Sequence, residues 1–428
     1  MTHVAIIGNG ITGISAARRL RRLQPDWSIS VISGESTYHY SRPALMYIFM
    51  GHMRYQDTKP YDDYIWNEEE IDLIRDWVVD IDTEASQLKF HRRDDVMSYD
   101  KLLLATGSKS NRFGWPGQDL PGVQGLYDLM DLHALYDNVR HTRHATIVGG
   151  GLIGIELAEM LHARNVHVTI LVREKSYWNN VLPEGESAMV SRHILEHGFD
   201  LRLSTELDQI IAGADGRVAK IRTKDGEDIE TQLVGLTAGV SPNIDLVSDT
   251  PIDTNRGILV DWTLKTNVDN VYAAGDCAEL IVEDAERNFI QQVWYTGRMQ
   301  GETAAENIAG GNVKYDPGIW YNSAKFLDIE YQTYGQVPTH GAEGQTQLWW
   351  EHPSGKHGVR LVYETESRRF LGMNAMGIRY RHRNFEAWIR DGLTIDAVID
   401  QLNTANFDSE FFARHEREMA NSFRHQLS

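Results

Sequence analysis

Apolar and polar positions along the chain resolve into strand, turn and helix blocks, and one block occurs twice. Residues 3–32, HVAIIGNGITGISAARRLRRLQPDWSISVI, read as an apolar strand, a glycine turn, an amphipathic helix and a second strand. Residues 144–172, HATIVGGGLIGIELAEMLHARNVHVTILV, repeat that plan. Two such β–α–β openings predict an α/β protein with two nucleotide-binding domains, each built on a mainly parallel sheet. WVVDIDTEASQLKF and SYDKLLLATGS predict further strands, as do residues 199–238 with turn signals at Gly213–Gly216 and Lys224–Gly226. VYAAGDCAEL from Val271 predicts a strand running into a turn, followed by a long helix to about Ala309. Gly310–Gly311 and Pro317–Gly318 then punctuate the chain and mark the start of a third domain.

Composition narrows the chemistry. The chain has 428 residues, more than one ordinary core needs, and its 42% hydrophobic and 24% charged residues are those of a globular protein. The one cysteine, Cys277, excludes an internal disulfide, a catalytic dithiol and any four-thiolate metal site. The histidines, His3 and His39 among them, show no ligand spacing, so no metal site is expected. A formal charge of -19 opposes binding to nucleic acid or anionic membrane. No apolar run approaches the roughly 20 residues of a membrane span. With a strand expected from Thr2, no cleaved leader is anticipated, and the expected location is the cytoplasm.

The glycine turns carry the first functional signal. Gly8, Gly10 and Gly13 form G-x-G-x-x-G between a strand and a helix. That arrangement gives a tight turn, close approach of a pyrophosphate, close helix–strand packing and a helix N-terminus facing the phosphates. Glu35, just past the second strand, is the candidate for the ribose hydroxyls. Gly149, Gly151 and Gly154 repeat the fingerprint with Gly150 inserted. Here Val172 holds the usual ribose-carboxylate position, followed by Arg173 and Glu174. The arginine suits a 2′-phosphate and the glutamate a free ribose, leaving NADH and NADPH both open with a lean to NADPH.

Two fingerprints in this order resemble the two-dinucleotide-binding flavoprotein reductases, the pyridine nucleotide-disulfide oxidoreductase-like superfamily. Leu103–Ser108 is similar to its ATG motif, and Val271–Ala278 to its second FAD motif, whose aspartate is here Asp276. Tyr40–Leu45 looks like the segment found in rubredoxin reductases, ferredoxin reductases and apoptosis-inducing factor. The resemblance covers roughly residues 3–310. It implies two Rossmann-like domains, the first binding FAD and the second NAD(P)H, plus a C-terminal α+β interface domain. The expected boundaries are 1–114 and 241–315 for the FAD domain, 115–240 for the NAD(P) domain, and 316–428 for the last. Trp320–Ile329, Tyr331–Gly335 and Phe370–Met373 are similar to parts of that interface domain.

On the same resemblance, FAD contacts are expected from Gly8, Gly10, Ile11, Thr12, Gly13, Glu35, Arg42, Pro43, Val79, Ala105, Thr106, Gly107, Gly275, Asp276 and Trp294. NAD(P)H contacts are expected from Gly149, Gly151, Leu152, Ile153, Gly154, Arg173, Glu174 and Gly239. Oxygenase-type ferredoxin reductases carry a Ser-Lys pair after R-P-x-L, the lysine pairing with a glutamate beside the flavin. Here Met46 and Tyr47 stand in those positions while the glutamate persists as Glu156. Glu156 and Tyr47 are thus the candidate catalytic residues.

The branch without redox cysteines implies electrons leaving directly from the flavin. The first reading is an NAD(P)H-dependent reductase of a small iron protein of rubredoxin or ferredoxin type, with Arg379, Arg381 and Arg383 as a docking cluster. The alternatives are an oxidase or diaphorase acting on oxygen or a quinone, and a redox-switched binding protein resembling apoptosis-inducing factor. Homodimers are common in the family. No role emerges for Asp408 and Glu410.

Overall fold

The structure is a computed structural model, and it describes residues 1–282, 289–407 and 413–427. Asp408 and Glu410 lie outside the described residues. The chain forms two compact units: Met1–Asn111 with Gly125–Asp137 and Gly239–Pro317, and Arg112–Gln124 with Asn138–Ala238 and Gly318–Ser428.

The first unit is organised by a parallel five-stranded sheet. Its order is Val271–Ala273, Lys101–Leu104, His3–Ile7, Ser28–Ile32, Ile71–Ile74. The inner strands are apolar without alternation because both faces are covered, as parallel sheets require. Ile7 lies level with Ile32 and Leu104, Leu104 with Ala273 and Ile32 with Ile74, so all five strands end at one edge. The helix Ile11–Leu23 buries Ile14, Ala17 and Leu20 against the sheet. The helix Trp294–Ile308 packs against it, and Gly301 makes this approach close: a Cβ there would stand 2.2 Å from the Thr12 carbonyl oxygen. An antiparallel three-stranded sheet, Val78–Asp82, Gln87–Phe90 and Val96–Ser98, and two short strand pairs belong to the same unit.

The second unit repeats the parallel plan in the order Asp200–Arg202, His167–Leu171, His144–Val148, Leu233–Leu236, Val123–Gln124. It also holds an antiparallel five-stranded sheet, Tyr321–Phe326, Ile329–Gly335, Phe370–Met376, Gly358–Glu364 and Gln345–Glu351 in spatial order. Phe385 and Trp388 of helix His382–Arg390, Val398 of Ile395–Gln401 and Phe423 of Glu416–Leu427 fill a core with Phe370 and Met373. A further three-stranded sheet, Leu207–Ala212, Val218–Thr223 and Asp228–Glu230, belongs to this unit, and the helix Glu184–Glu196 is tied to the five-stranded antiparallel sheet. Its Glu186, fully buried, accepts from Arg360 through Nε at 2.8 Å and Nη2 at 2.7 Å, and from Asn374 Nδ2 at 3.1 Å. Arg360 also donates to Gln347 Oε1 at 2.9 Å. Among the described residues no helix is long and apolar enough to cross a membrane.

Removing one partner of a buried pair leaves the other charge uncompensated. Arg360→Ala is expected to destabilise the protein by about 3–5 kcal/mol. Lys325→Ala, which breaks the more exposed pair with Glu159, should cost no more than about 1 kcal/mol. Urea unfolding of the two variants beside the parent measures both.

Candidate functional site

Where parallel strands end together, the loops leaving them converge, and open α/β sheets place ligands outside those carboxyl ends. In the first unit the converging segments are Gly8–Gly13, Ser33–Glu35, Ala105–Gly107 and Ala274–Asp276. Gly8 has φ +113° and donates to the Ile32 carbonyl at 2.8 Å. A Cβ on it would lie 2.1 Å from the Ala105 oxygen, so the turn needs glycine both for its dihedral and for this contact. Gly10 is the opposite case: its φ is an ordinary -64°, and a Cβ there would meet nothing within 4 Å. The space above Gly10 is open, and helix Ile11–Leu23 starts beside it with no side-chain cap and no acidic residue in its first turn. This cradle fits the pyrophosphate of a dinucleotide. Ile11, Thr12 and Gly13 form the first turn of that helix, with Thr12 buried beneath Gly275, Gly297 and Gly301.

Around this edge the polar groups are already engaged. Glu35 accepts from the Tyr40 hydroxyl, from the Arg42 guanidinium and from the Leu129 N–H at 3.2 Å. Arg42 in turn donates to the Tyr127 carbonyl at 3.2 Å and lies 4.8 Å from the centre of the Tyr127 ring. Pro43, next in the chain, is exposed. Asp276 accepts from Ser108 Oγ at 3.0 Å, and burial holds its carboxyl above the usual carboxylate range. The N–H of Gly275 donates to Gln300 Oε1 at 2.7 Å, which fixes the turn that presents Asp276. Thr106 donates to the Asn243 carbonyl at 2.6 Å, and Gly107 has φ +72°. Cys277 is fully buried, its thiol directed at the Leu104 and Ala274 carbonyls and pushed up by burial, so it is no nucleophile.

Three expected residues stand in less enclosed surroundings. Val79 is 54% exposed on the strand Val78–Asp82, and Trp294, first in its helix, is 44% exposed. Tyr47 is half-buried in the short helix Leu45–Phe49, its ring 6.3 Å from that of His52. Gly239, expected with the second nucleotide, lies in the first unit, where its carbonyl accepts from the Asn111 N–H at 3.1 Å.

The second unit builds the same edge. Gly149 has φ +131° and donates to the Leu171 carbonyl at 3.0 Å; a Cβ on it would stand 2.5 Å from the Thr237 oxygen. Gly151 precedes the uncapped helix Leu152–His162 and has only Trp178 Nε1, at 3.9 Å, near its Cβ position. Leu152 and Ile153 open that helix half-buried, and Gly154 packs on the Gly149 carbonyl. The inserted Gly150 lies under Val172, whose methyl would be 2.8 Å from a Cβ there. Arg173 and Glu174 pair with each other at 2.9 Å, so neither charge is committed to a ribose or a 2′-phosphate. Glu156 sits one turn into the helix. Burial, reinforced by Glu159, pushes its carboxyl up to about 7.

Sequence reasoning did not single out Tyr127, Gln292, Tyr177 or Trp178. Tyr127 accepts from the Ser108 N–H at 2.8 Å, and Gln292 donates to Ser108 Oγ at 2.8 Å. The Tyr177 hydroxyl donates to the Gly151 carbonyl at 2.8 Å. Trp178 holds φ +55°, a costly conformation for an aromatic residue, beside the same turn. No local pattern marks them, because each acts on a turn reached only by folding.

Two glycine turns, each at the carboxyl edge of its own parallel sheet, define a protein that binds two dinucleotides. Residues 2–304 match the pyridine nucleotide-disulphide oxidoreductase family, and the chain belongs to it. It is therefore an FAD-dependent NAD(P)H oxidoreductase. Among curated relatives, the rubredoxin-NAD(+) reductase of Acinetobacter baylyi is 28% identical over 65% of this chain and 73% of its own length. The rhodocoxin reductase of Rhodococcus erythropolis is 31% identical over 87% of this chain and 86% of its own. An NAD-dependent persulfide reductase from A. fulgidus has the same fold, with a TM-score of 0.85, 22% identity and coverage of 100% of this chain and 84% of that one.

The two first-turn glycines of the first unit should separate fold from binding. Gly8→Ala puts a methyl into the Ala105 carbonyl and should destabilise the protein by about 3 kcal/mol or more. Gly10→Ala should leave the melting temperature of the FAD-free protein almost unchanged while weakening FAD binding at least about tenfold, read by fluorescence titration.

Glu156 gives a pH signature. An acid whose folded value lies above its unfolded one binds more protons when folded, so its contribution to stability falls as pH rises from about 4.5 to about 7. Glu156→Gln should accordingly melt increasingly above the parent across that window, as thermal unfolding at a series of pH values would register.

Proposed function

We propose that this protein is an FAD-dependent NAD(P)H reductase whose electrons pass to a small iron protein of rubredoxin or ferredoxin type. The observation that carries this reading is Cys277. It is the chain's one cysteine, it is buried, and its thiol is held against two carbonyls, so no thiol relay stands after the flavin. The names of the Acinetobacter and Rhodococcus relatives support an iron-protein acceptor.

Bound FAD supplies hydride acceptance from the nicotinamide and release of single electrons. The chain's own residues bind and orient. Gly8–Gly13 and the start of helix Ile11–Leu23 receive the FAD pyrophosphate, and Asp276 takes a hydroxyl of the ribityl chain as acceptor. Glu35, held by Arg42 and Tyr40, faces the adenosine end. Gly149–Gly154 receives the pyrophosphate of NAD(P)H, with Arg173 and Glu174 at its ribose. Glu156, near neutrality in its protonation, avoids placing a full negative charge where the nicotinamide docks. An acidic acceptor would dock on Arg381 and Arg383, both exposed; Arg379 is already paired with Glu330.

Anaerobic stopped-flow reduction by NADH and by NADPH, followed by reoxidation with rubredoxin, ferredoxin, a quinone or oxygen, tests the reading. The flavin should bleach with one of the nucleotides, and an iron protein should reoxidise it at least about tenfold faster than oxygen does. Arg381→Glu with Arg383→Glu should raise the acceptor KM several-fold at low salt and less at high salt. Faster turnover with oxygen or quinone would instead identify an oxidase or diaphorase. A flavin that no acceptor reoxidises would point to a redox-switched binding protein.

A further inference from the structure

In the second unit, three potential metal ligands meet where the helix Glu184–Glu196 faces the hairpin joining Tyr321–Phe326 to Ile329–Gly335. His193 and His197 are four apart, so they share one helix face. Asp328 comes from the two-residue turn between Phe326 and Ile329, a turn in which Leu327 takes φ +57°. One ligand atom from each of the three residues lies within 4.8 Å of the others. His193 Nε2 is bonded to Asp328 Oδ1, and His197 Nε2 lies 3.4 Å from the same oxygen.

The protonation pattern distinguishes this cluster from a casual one. His197 Nδ1 is 2.9 Å from the His193 carbonyl, an acceptor only, so Nδ1 carries a proton and Nε2 is the ring nitrogen left to face a metal. His193 is 1% exposed, and its Nδ1 has no hydrogen-bond partner, although the Glu196 carboxylate is 3.7 Å away. With a metal on Nε2 of His193, its single proton would move to Nδ1 and be donated to Glu196. The orphaned buried nitrogen would then be satisfied. Both imidazoles would have the outer partner that metal-bound histidines use: a carboxylate for one, a backbone carbonyl for the other.

We propose that His193, His197 and Asp328 form a zinc-type divalent-metal site that clips the helix Glu184–Glu196 to the Phe326–Ile329 turn. Two imidazoles, one carboxylate and a fourth position left to water are a normal zinc complement. Lys356 Nζ lies 3.7 Å from Asp328 Oδ2 and is half-exposed, so it can swing into solvent as the metal enters. A second cluster, His352, His415 and Glu418 with His357 beside it, is less suited. There the Ser354 N–H donates to His352 Nδ1 at 3.1 Å, which places the proton on the other nitrogen and removes His352's remaining lone pair from use.

The test is zinc binding by the FAD-loaded protein after chelator treatment, measured in competition with a chromophoric chelator, together with the melting temperature with and without zinc. The expected result is one zinc per chain, a higher melting temperature, and an affinity lowered at least about tenfold by Asp328→Asn and by His197→Gln. His352→Gln with His415→Gln should leave the affinity unchanged. Asp328 and His197 are solvent-accessible, so these variants should fold, and circular dichroism and flavin content would verify that. Absence of zinc binding, equal affinity in parent and Asp328→Asn, or loss of binding on removing His352 and His415 would each overturn the proposal.

Discussion

The contact on which the first unit rests is one of backbone on backbone. The Ala105 carbonyl occupies the place where any side chain of Gly8 would begin, and the Thr12 carbonyl does the same to Gly301. These contacts do two things together. They let the strands His3–Ile7 and Lys101–Leu104 end side by side in register, and they draw the helix Trp294–Ile308 onto the helix Ile11–Leu23. The same approach lets the buried Gln300 side chain reach the Gly275 N–H and hold the turn that presents Asp276. A segment nearly three hundred residues distant thus becomes part of the first glycine turn.

Legibility follows sequence distance. The strand–turn–helix openings were readable because their logic is local: Gly8, Gly10 and Gly13 stand within one turn, and so do Gly149, Gly151 and Gly154. The FAD and NAD(P)H chemistry could be inferred from the same short segments and their order. Contacts of high separation were not readable. Tyr127 beside Ser108, Tyr177 on the Gly151 carbonyl and Asp328 against His193 each join pieces that only the tertiary fold brings together. The histidines show this most directly, since sequence reading found no ligand spacing among them, and Asp328 joins His193 and His197 only in the folded chain. Glu35 and Arg42 add a contact that sequence reading did not give: both were expected at the cofactor, and the fold pairs them with each other.

In the second unit the helix Glu184–Glu196 makes two ion pairs to the antiparallel sheet. Arg192 pairs with Glu351, and Glu186 with Arg360. An ion pair buried this completely contributes little net stability compared with apolar side chains of the same volume, but it tolerates no alternative geometry. Glu186 also accepts from Asn374, and Arg360 also donates to Gln347, so three strands of the sheet are referenced to one helix. The pair therefore sets the register of helix on sheet, while the bulk of the stability comes from apolar clusters such as Phe370, Phe385 and Phe423.

Glu156 shows how the chemistry of this chain is constrained by what surrounds one carboxyl. Within its own unit the causes that shift it are burial and the nearby Glu159, and both favour the neutral form. Glu159 itself pairs with Lys325 at 3.1 Å. A carboxyl raised this far carries less than a full negative charge near neutral pH. The helix N-terminus at Gly151 adds a positive dipole end only a turn away. One short helix segment thus sets a positive dipole end close to a carboxyl of raised proton affinity, and the sequence Gly151–Leu152–Ile153–Gly154–Ile155–Glu156 holds both within six residues.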